Sequence, residues 1–299
     1  MGTLYTQQGS NVRKTWFLMS MFFVVIVAIG YIASAIYGNP AIMYIAIVFS
    51  LVMNIGSYWY SDKLVLSMTG AVPADPVAHR ELINVVENLT ITAGLPMPKV
   101  FVVNDPAPNA FATGRNPEHA VVAATTGLLA ILNRTELEGV IAHELSHVGN
   151  RDMLVSTVAV VLAGFIAIVA DMLMRSMMWG GGDRDSKGSP IFLIFGVIGI
   201  ILAPIAAQLI QLAISRKREY LADVSGALLT RYPEGLASAL EKISASSRPM
   251  VRANNATAHL FIADPFGSDK RGVMQKISGL FQTHPPAEDR IKILREMDI

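Results

Sequence analysis

Apolar residues in this chain are concentrated in long blocks, and four of these blocks are long enough to cross a lipid bilayer. A transmembrane helix needs about 20 mostly apolar residues. The blocks cover residues 17–36, 41–60, 153–173 and 191–214. Asp171 is the one charged residue inside them. A buried core helix could explain a single block, but four in one chain predict an integral membrane protein with two helical hairpins.

The overall composition favours the same class of protein. Of the 299 residues 52% are apolar and 16% are charged, and the mean hydropathy is +0.45. This balance is typical of membrane proteins. A net charge of +1 without a long basic tract gives no indication of a nucleic-acid partner. The chain has no cysteine, so a metal ion would have to be held by histidine and carboxylate groups.

Basic residues flank the four blocks on one side of the predicted membrane. They are Arg13, Lys14, Lys63, Arg151, Arg216, Lys217 and Arg218. The positive-inside rule places this side in the cytoplasm. We therefore expect a tail and membrane hairpin over 1–60, a cytoplasmic part over 61–152, a second hairpin over 153–214, and a cytoplasmic helical part over 215–299.

The cytoplasmic segment 61–152 combines helical and strand patterns. Apolar spacing in "DPVAHRELINVVENLTITAGL" predicts a helix that ends at Gly94, and "KVFVVND" predicts a strand. Residues 109–113 and 119–125 predict two further strands joined by a turn. A capping box at Thr135–Glu138 predicts the start of another helix. The chain is therefore expected to be mainly α, with an α+β cytoplasmic domain.

This last helix carries the candidate chemistry, in the sequence "HELSH". His143 and His147 are four residues apart, so they lie on one helix face and can bind the same ion. Glu144 is then placed to act as a general base on a water at that ion. The pattern is short enough to occur by chance. It is also incomplete, because a catalytic zinc needs a third protein ligand and an open position.

The second hairpin indicates where the third ligand lies. It begins just after His147 and returns the chain to the same membrane face, where Glu219 follows five residues later in "SRKREYLAD". Two histidines and a glutamate form a common catalytic zinc set. Asp223, one turn further, could orient a ligating histidine. The alternative is that both acids form a solvated face paired with Arg216 and Arg218.

The motifs "NAFATG", "HELSH", "SRKREYLAD" and "THPPAEDRI", in this order after paired N-terminal spans, resemble the HtpX family of membrane zinc metalloproteases. These are bacterial and archaeal relatives of the type I CAAX prenyl endopeptidases, and the resemblance covers nearly the whole chain. It implies four transmembrane helices and a cytoplasmic α+β, zincin-like (gluzincin) catalytic domain. It also implies a multi-pass endopeptidase of the bacterial inner membrane that cleaves misfolded membrane proteins on the cytoplasmic side.

The same resemblance implies roles for individual residues. One Zn²⁺ per chain would be held by His143, His147 and Glu219, with Glu144 as the catalytic base. Asn109, Ala110 and Phe111 would form an edge strand beside the cleft, where an extended substrate can pair through its main chain. The alternative for Phe111 is a role in the core. His284 is a candidate for polarising the scissile carbonyl or stabilising its oxyanion, or is simply a loop histidine.

Two other functions compete with an active peptidase. One is a membrane scaffold in which zinc is structural or absent, and Glu144 argues against it because a structural site has no use for a base. The other is a transporter, which would carry ionisable residues deep in its spans, whereas only Asp171 is present there. The substrate, the cleavage preference and the oligomeric state are left open by the sequence.

Overall fold

The computed structural model of the chain describes residues 4–179, 216–246, 248–252, 257–266 and 285–298. The helices in these ranges are α1 (Leu4–Tyr37), α2 (Ala41–Trp59), α3 (Ser61–Thr69), α4 (Arg80–Ala93), α5 (Thr126–Ile131), α6 (Arg134–Gly149), α7 (Asp152–Trp179), α8 (Arg216–Thr230), α9 (Pro233–Ala245) and α10 (Ala287–Arg295). The strands are β1 (Ala71–Pro73), β2 (Lys99–Val103), β3 (Ala110–Gly114) and β4 (Ala120–Thr125). The predicted span 191–214 and His284 lie outside the described residues.

The first two helices form the predicted N-terminal hairpin. Gly38, with φ of 64°, allows the tight reversal between α1 and α2. Residues Gly9–Tyr37 and α2 are each long and apolar enough to cross a membrane. Large apolar side chains on their outer faces are exposed, among them Val24 and Ile45. Such faces suit lipid rather than water.

The third apolar block lies in α7, which is sharply bent away from α6. The two helix axes meet at 83°. Arg151 sits at the break with φ of 58°, a left-handed conformation that is unfavourable for a residue with a Cβ atom. Within the described ranges two helices qualify as membrane spans, or three if α6 and α7 are counted as one broken span. The prediction of four crossing helices therefore stays a prediction.

The sheet has four strands in the order β1-β2-β4-β3. Strand β4 lies parallel to β2 and antiparallel to β3, with Ala110 opposite Ala124. The strands predicted at 109–113 and 119–125 are confirmed to within one residue, and β3 forms one edge of the sheet. The three-residue strand β1 was not predicted, since its exposed residues Val72 and Pro73 carry no alternating pattern.

The N-cap of helix α6 lies two residues earlier than predicted. Asn133, not Thr135, is the N-cap: its side chain accepts from the Glu136 amide at 3.0 Å, and Glu136 Oε2 accepts from the Asn133 amide at 2.8 Å. The capping box predicted at Thr135–Glu138 was wrong. Asn133 holds an extended backbone, which an N-cap requires, whereas Thr135 is already helical and donates to the Asn133 side chain.

One hydrophobic core joins segment 61–152 with the described part of the tail that follows residue 215. It packs α4, α6 and the sheet against α8, α9 and α10, through residues such as Val140, Ile141, Ala227, Leu240 and Leu294. The described part of the tail therefore does not fold beside the 61–152 segment as a separate unit. It completes the same core, and this brings α8 alongside α6.

Candidate active site

The two histidines of α6 point at the same place. His143 Nε2 and His147 Nε2 are 3.2 Å apart, and their rings lie at 89° to each other. Two nitrogen ligands of a tetrahedral zinc, each about 2.0–2.1 Å from the ion, are separated by about 3.3 Å. The spacing of these two nitrogen atoms therefore suits ligation of one ion.

Glu219 approaches the same point from α8. Its Oε2 lies 3.8 Å from His143 Nε2, and its Oε1 lies 3.6 Å from His147 Nε2. The close approach of α8 depends on Gly226, seven residues further along the same face. A Cβ atom there would meet the His143 backbone nitrogen at 2.9 Å, so only glycine lets the helices come together.

The residues present fit a metal ion. Ligand atoms from His143, His147 and Glu219 all lie within 4.8 Å of one another. They are the one group of this kind in the part of the chain that the structure describes. A small cavity opens beside them, lined also by Glu144, Asp152 and Ala112. Three candidate ligands next to a cavity would leave one position of a tetrahedral metal open, as catalytic zinc sites do.

The ring of His143 is held by Asp223. The His143 Nδ1 atom lies 2.9 Å from Asp223 Oδ1. Burial lowers the pKa of His143, and the hydrogen bond with Asp223 opposes this effect. Burial is the larger of the two, so the pKa is about 4. A neutral ring that donates from Nδ1 keeps the Nε2 lone pair for a metal ion. Asp223 thus lies behind His143, and its role in orienting a metal ligand stays a prediction.

Asp223 is in turn held by Arg290, which sequence reasoning did not assign a role. Arg290 Nε and Nη2 donate to the two carboxylate oxygens of Asp223 at 2.8 and 2.7 Å. Burial alone would raise the pKa of Asp223, but the charge of Arg290 and the His143 hydrogen bond outweigh it and lower the pKa to about 2. Arg290 Nη2 is also 3.5 Å from His143 Nδ1. We interpret this as proximity, because both nitrogen atoms donate to Asp223.

Asp152 does for His147 what Asp223 does for His143. Its Oδ2 lies 3.3 Å from His147 Nδ1, and it sits in the first turn of α7. Burial lowers the pKa of His147, but the Asp152 hydrogen bond and the charge of Glu219 outweigh it and raise the pKa to about 9. A metal ion therefore has to displace a proton at His147, so acid weakens metal binding.

Glu144 is buried at the edge of the cavity, next to Ala112 of β3, whose backbone amide favours the charged carboxylate. Burial raises the pKa of Glu144 to about 7, and the charge of His147 opposes this rise. A carboxylate with a pKa near neutrality can both accept and return a proton, which is what a general base in hydrolysis must do.

The residues predicted to bind the substrate make contacts with other parts of the protein. Asn109 and Ala110 are buried, and their polar groups already have partners. The Asn109 side chain donates to the Ala263 carbonyl and accepts from the Ala263 amide, and the Ala110 carbonyl accepts from the Ile262 amide. Phe111 packs edge-on against Phe261 with ring centroids 5.3 Å apart. Ala112, rather than these three residues, lines the cavity. A substrate-binding role for Asn109, Ala110 and Phe111 stays a prediction.

Sequence reasoning missed Asp152, Arg290 and Gly226. Gly226 could have been found from helical spacing, since it shares the face of Glu219 and Asp223. Arg290 lies in the quoted motif "THPPAEDRI", but nothing local shows that it is buried or which acid it meets. Asp152 follows His147 by five residues across a helix break, where helical spacing does not apply.

The Arg290–Asp223 pair gives a first prediction. Arg290→Leu should destabilise the protein by about 3–5 kcal/mol, because it leaves a buried carboxylate without its cation. The measurement is thermal unfolding of the full chain in detergent. Arg295→Ala is a matched control on the same helix, since this exposed arginine binds Glu234 and Glu241 at the surface. Equal losses of stability for the two variants would contradict a special role for the buried pair.

Known proteins are similar to this chain over almost its whole length. Residues 76–298 match the family described as Peptidase family M48. A protein of Caldanaerobacter subterraneus subsp. tengcongensis, "Protease HtpX homolog", is 49% identical over 305 residues that cover 99% of both chains. A Pyrococcus furiosus protein with the same description is 50% identical over 286 residues, 95% of each chain.

A solved structure shares the fold. The crystal structure of S. mikatae Ste24p aligns with a TM-score of 0.50 and 18% identity, covering 97% of this chain and 67% of that one. At this level of identity the match supports the fold alone.

Proposed function

Since the chain belongs to peptidase family M48 and is homologous to HtpX membrane metalloproteases, we propose that it is a zinc-dependent endopeptidase of the bacterial inner membrane. It hydrolyses misfolded or damaged membrane proteins at the cytoplasmic face. The observation that carries this proposal is the meeting of His143, His147 and Glu219 at one point, with buried Glu144 beside it. A non-catalytic site has no use for that carboxylate.

The roles of the chain's own residues follow from this geometry. When bound, Zn²⁺ supplies Lewis-acid polarisation of the scissile carbonyl and acidifies the attacking water. Glu144 accepts the proton of that water and passes it to the leaving amine. Asp223 and Asp152 fix the two histidine rings, and Glu144 lines the cavity beside Ala112. The mechanism needs no serine or cysteine nucleophile.

The substrate is an extended segment of a protein chain. Ala112, at the edge strand β3, places main-chain groups next to Glu144, where a substrate strand could pair. Asn109, Ala110 and Phe111 would then support this edge, with Asn109 tying it to Ala263. His284 would act on the scissile carbonyl or its oxyanion.

The position of the site supports substrates that emerge from the membrane. Helix α7 begins three residues after α6 ends and enters the third apolar block, so the cleft lies at the end of a predicted span. Basic residues at this end, including Lys14 and Arg218, indicate the cytoplasmic side. A membrane protein that has lost its fold would present loops at this level.

An experiment with membrane vesicles tests both the protease activity and the side of the membrane that the site faces. Inverted vesicles containing the full chain should cleave casein, an unfolded test protein added outside, and a chelator should stop the cleavage until zinc is restored. Sealed vesicles of the opposite orientation should leave casein intact. Cleavage only by the vesicles of opposite orientation would contradict a cytoplasmic site. Cleavage that continues in the presence of the chelator would contradict the metal mechanism.

A further inference from the structure

The polar beginning of the first membrane helix reaches the candidate metal site. Asn11 of α1 is only 2% exposed. Its Nδ2 donates to Asp152 Oδ1 at 2.6 Å and to the Asn150 carbonyl at 3.2 Å. Both acceptors belong to the junction between α6 and α7. One side chain of the membrane anchor thus bonds to the bend that follows the histidine helix.

The carboxylate that Asn11 contacts is the one that orients His147. Asp152 Oδ2 faces His147 Nδ1, and Asp152 Oδ1 faces Asn11. With both oxygen atoms engaged the carboxylate cannot rotate without breaking a contact. Arg218, next to the candidate ligand Glu219, approaches from α8: its Nη1 lies 3.5 Å from Asn11 Oδ1 and its Nε 3.8 Å from Asp152 Oδ1.

Asn11 also supports an unfavourable turn. The chain reverses between α6 and α7 through Arg151, whose φ of 58° is disfavoured. The bond from Asn11 to the preceding carbonyl, that of Asn150, holds this turn from outside. The direction in which Asp152 leaves the bend therefore depends on α1.

We propose that Asn11 is a positioning residue of the metal site, which acts through Asp152 on the ligand His147. The first membrane helix is thereby part of the catalytic apparatus and not only an anchor. The inference rests on the proposed function, since it needs a metal at His147. Partners of this kind behind a ligand typically change metal affinity or activity by 10–100-fold when removed.

Thr15, one turn further along α1, supplies a matched control. It is equally buried, but its Oγ1 donates to the Asn11 carbonyl of its own helix at 3.0 Å. Thr15→Val therefore removes a buried polar group at the same depth without touching Asp152. A general weakening of α1 packing would appear in both variants, whereas loss of positioning would appear only at Asn11.

The experiment uses the full chain in detergent, with zinc exchanged for Co²⁺. Asn11→Leu should shift the visible Co²⁺ spectrum, speed Co²⁺ loss to a chelator by about 10-fold or more, and lower kcat by about 10–100-fold with little change in KM. Thr15→Val should match the wild type. In an Asp152→Asn background, Asn11→Leu should add almost nothing, because the two residues act in one chain of contacts.

Different outcomes separate the two claims. A wild-type chain that binds neither zinc nor Co²⁺ would overturn the proposed function and this inference with it. A metal-loaded Asn11→Leu variant with the wild-type spectrum, or one whose loss is undiminished in the Asp152→Asn background, would overturn the role of Asn11 alone. Should Asn11→Leu aggregate, Asn11→Ser decides in the same assays, since its shorter hydroxyl cannot span the contact to Asp152 but remains polar.

Discussion

Glu144→Gln should leave the protein folded and reduce cleavage of casein by about 10²–10⁴-fold. Glutamine has the shape of glutamate and fits the same buried position beside Ala112, but it cannot take a proton from the attacking water. The variant also removes a group whose burial in the site is costly, so it should be no less stable than the wild type. The measurement is the cleavage rate of the purified full chain at neutral pH.

Glu138→Gln provides the matched control for this variant. Glu138 lies on the same helix, partly exposed, and binds Arg134 at 3.0 Å. The substitution changes the same chemical group on the same helix without reaching the cavity. Its cleavage rate should equal that of the wild type. Equal rates for Glu144→Gln and Glu138→Gln would rule out Glu144 as the base and revive the scaffold with a structural metal.

Glu219→Ala should lose most of its zinc, and its activity with it. The remaining His143 and His147 provide only two of the three protein ligands that a catalytic zinc site uses. The loss of folding stability should be small, because alanine is favourable in a helix and the substitution removes a buried charge from the first turn of α8. The measurement is zinc per chain after dialysis against a weak chelator, compared with the wild type treated in the same way.

Lys217→Ala is the matched control, because it makes the same change to alanine on the same helix. Lys217 lies two residues from Glu219 on α8, and it is exposed. Its zinc content should remain that of the wild type. Unchanged zinc in Glu219→Ala would show that this carboxylate is not a ligand, and the third ligand would then have to be sought elsewhere in the cavity.

The ligand arrangement is the part of the site that the sequence predicts best. His143 and His147 follow from helical spacing alone, and the structure brings their Nε2 atoms within 3.2 Å. Glu219 followed from a length argument, because a hairpin of two membrane helices returns the chain to its starting level. The alternative of a solvated face fails for Asp223, which is 1% exposed and bonded to both His143 and Arg290.

The supporting contacts could not be predicted, because they join distant parts of the chain. Arg290 meets Asp223 across 67 residues, and Asn11 meets Asp152 across 141. Local periodicity indicates which face of a helix is apolar, but a single buried polar residue has no periodic signal. Its partner is determined by how the elements pack.

In the apolar blocks, too, the sequence predicts the helices but not how they are arranged. The length of an apolar block indicates that a helix can cross a bilayer, and the first two blocks do form such helices. The third block continues from a bend of 83° at Arg151, which the sequence gives no reason to expect. The left-handed backbone of Arg151 is disfavoured for any residue with a Cβ atom, and the sequence does not indicate that Asn11 donates to the neighbouring Asn150 carbonyl.

We propose that Glu144 performs chemistry at a metal held by three other residues. It is tested most directly by measuring zinc per chain and cleavage rate on one preparation of Glu144→Gln. Glu144→Gln should contain about one zinc per chain, as in the wild type, because it keeps all three proposed ligands, and it should not cleave casein. A zinc-loaded Glu144→Gln protein that cleaves at the wild-type rate would contradict it.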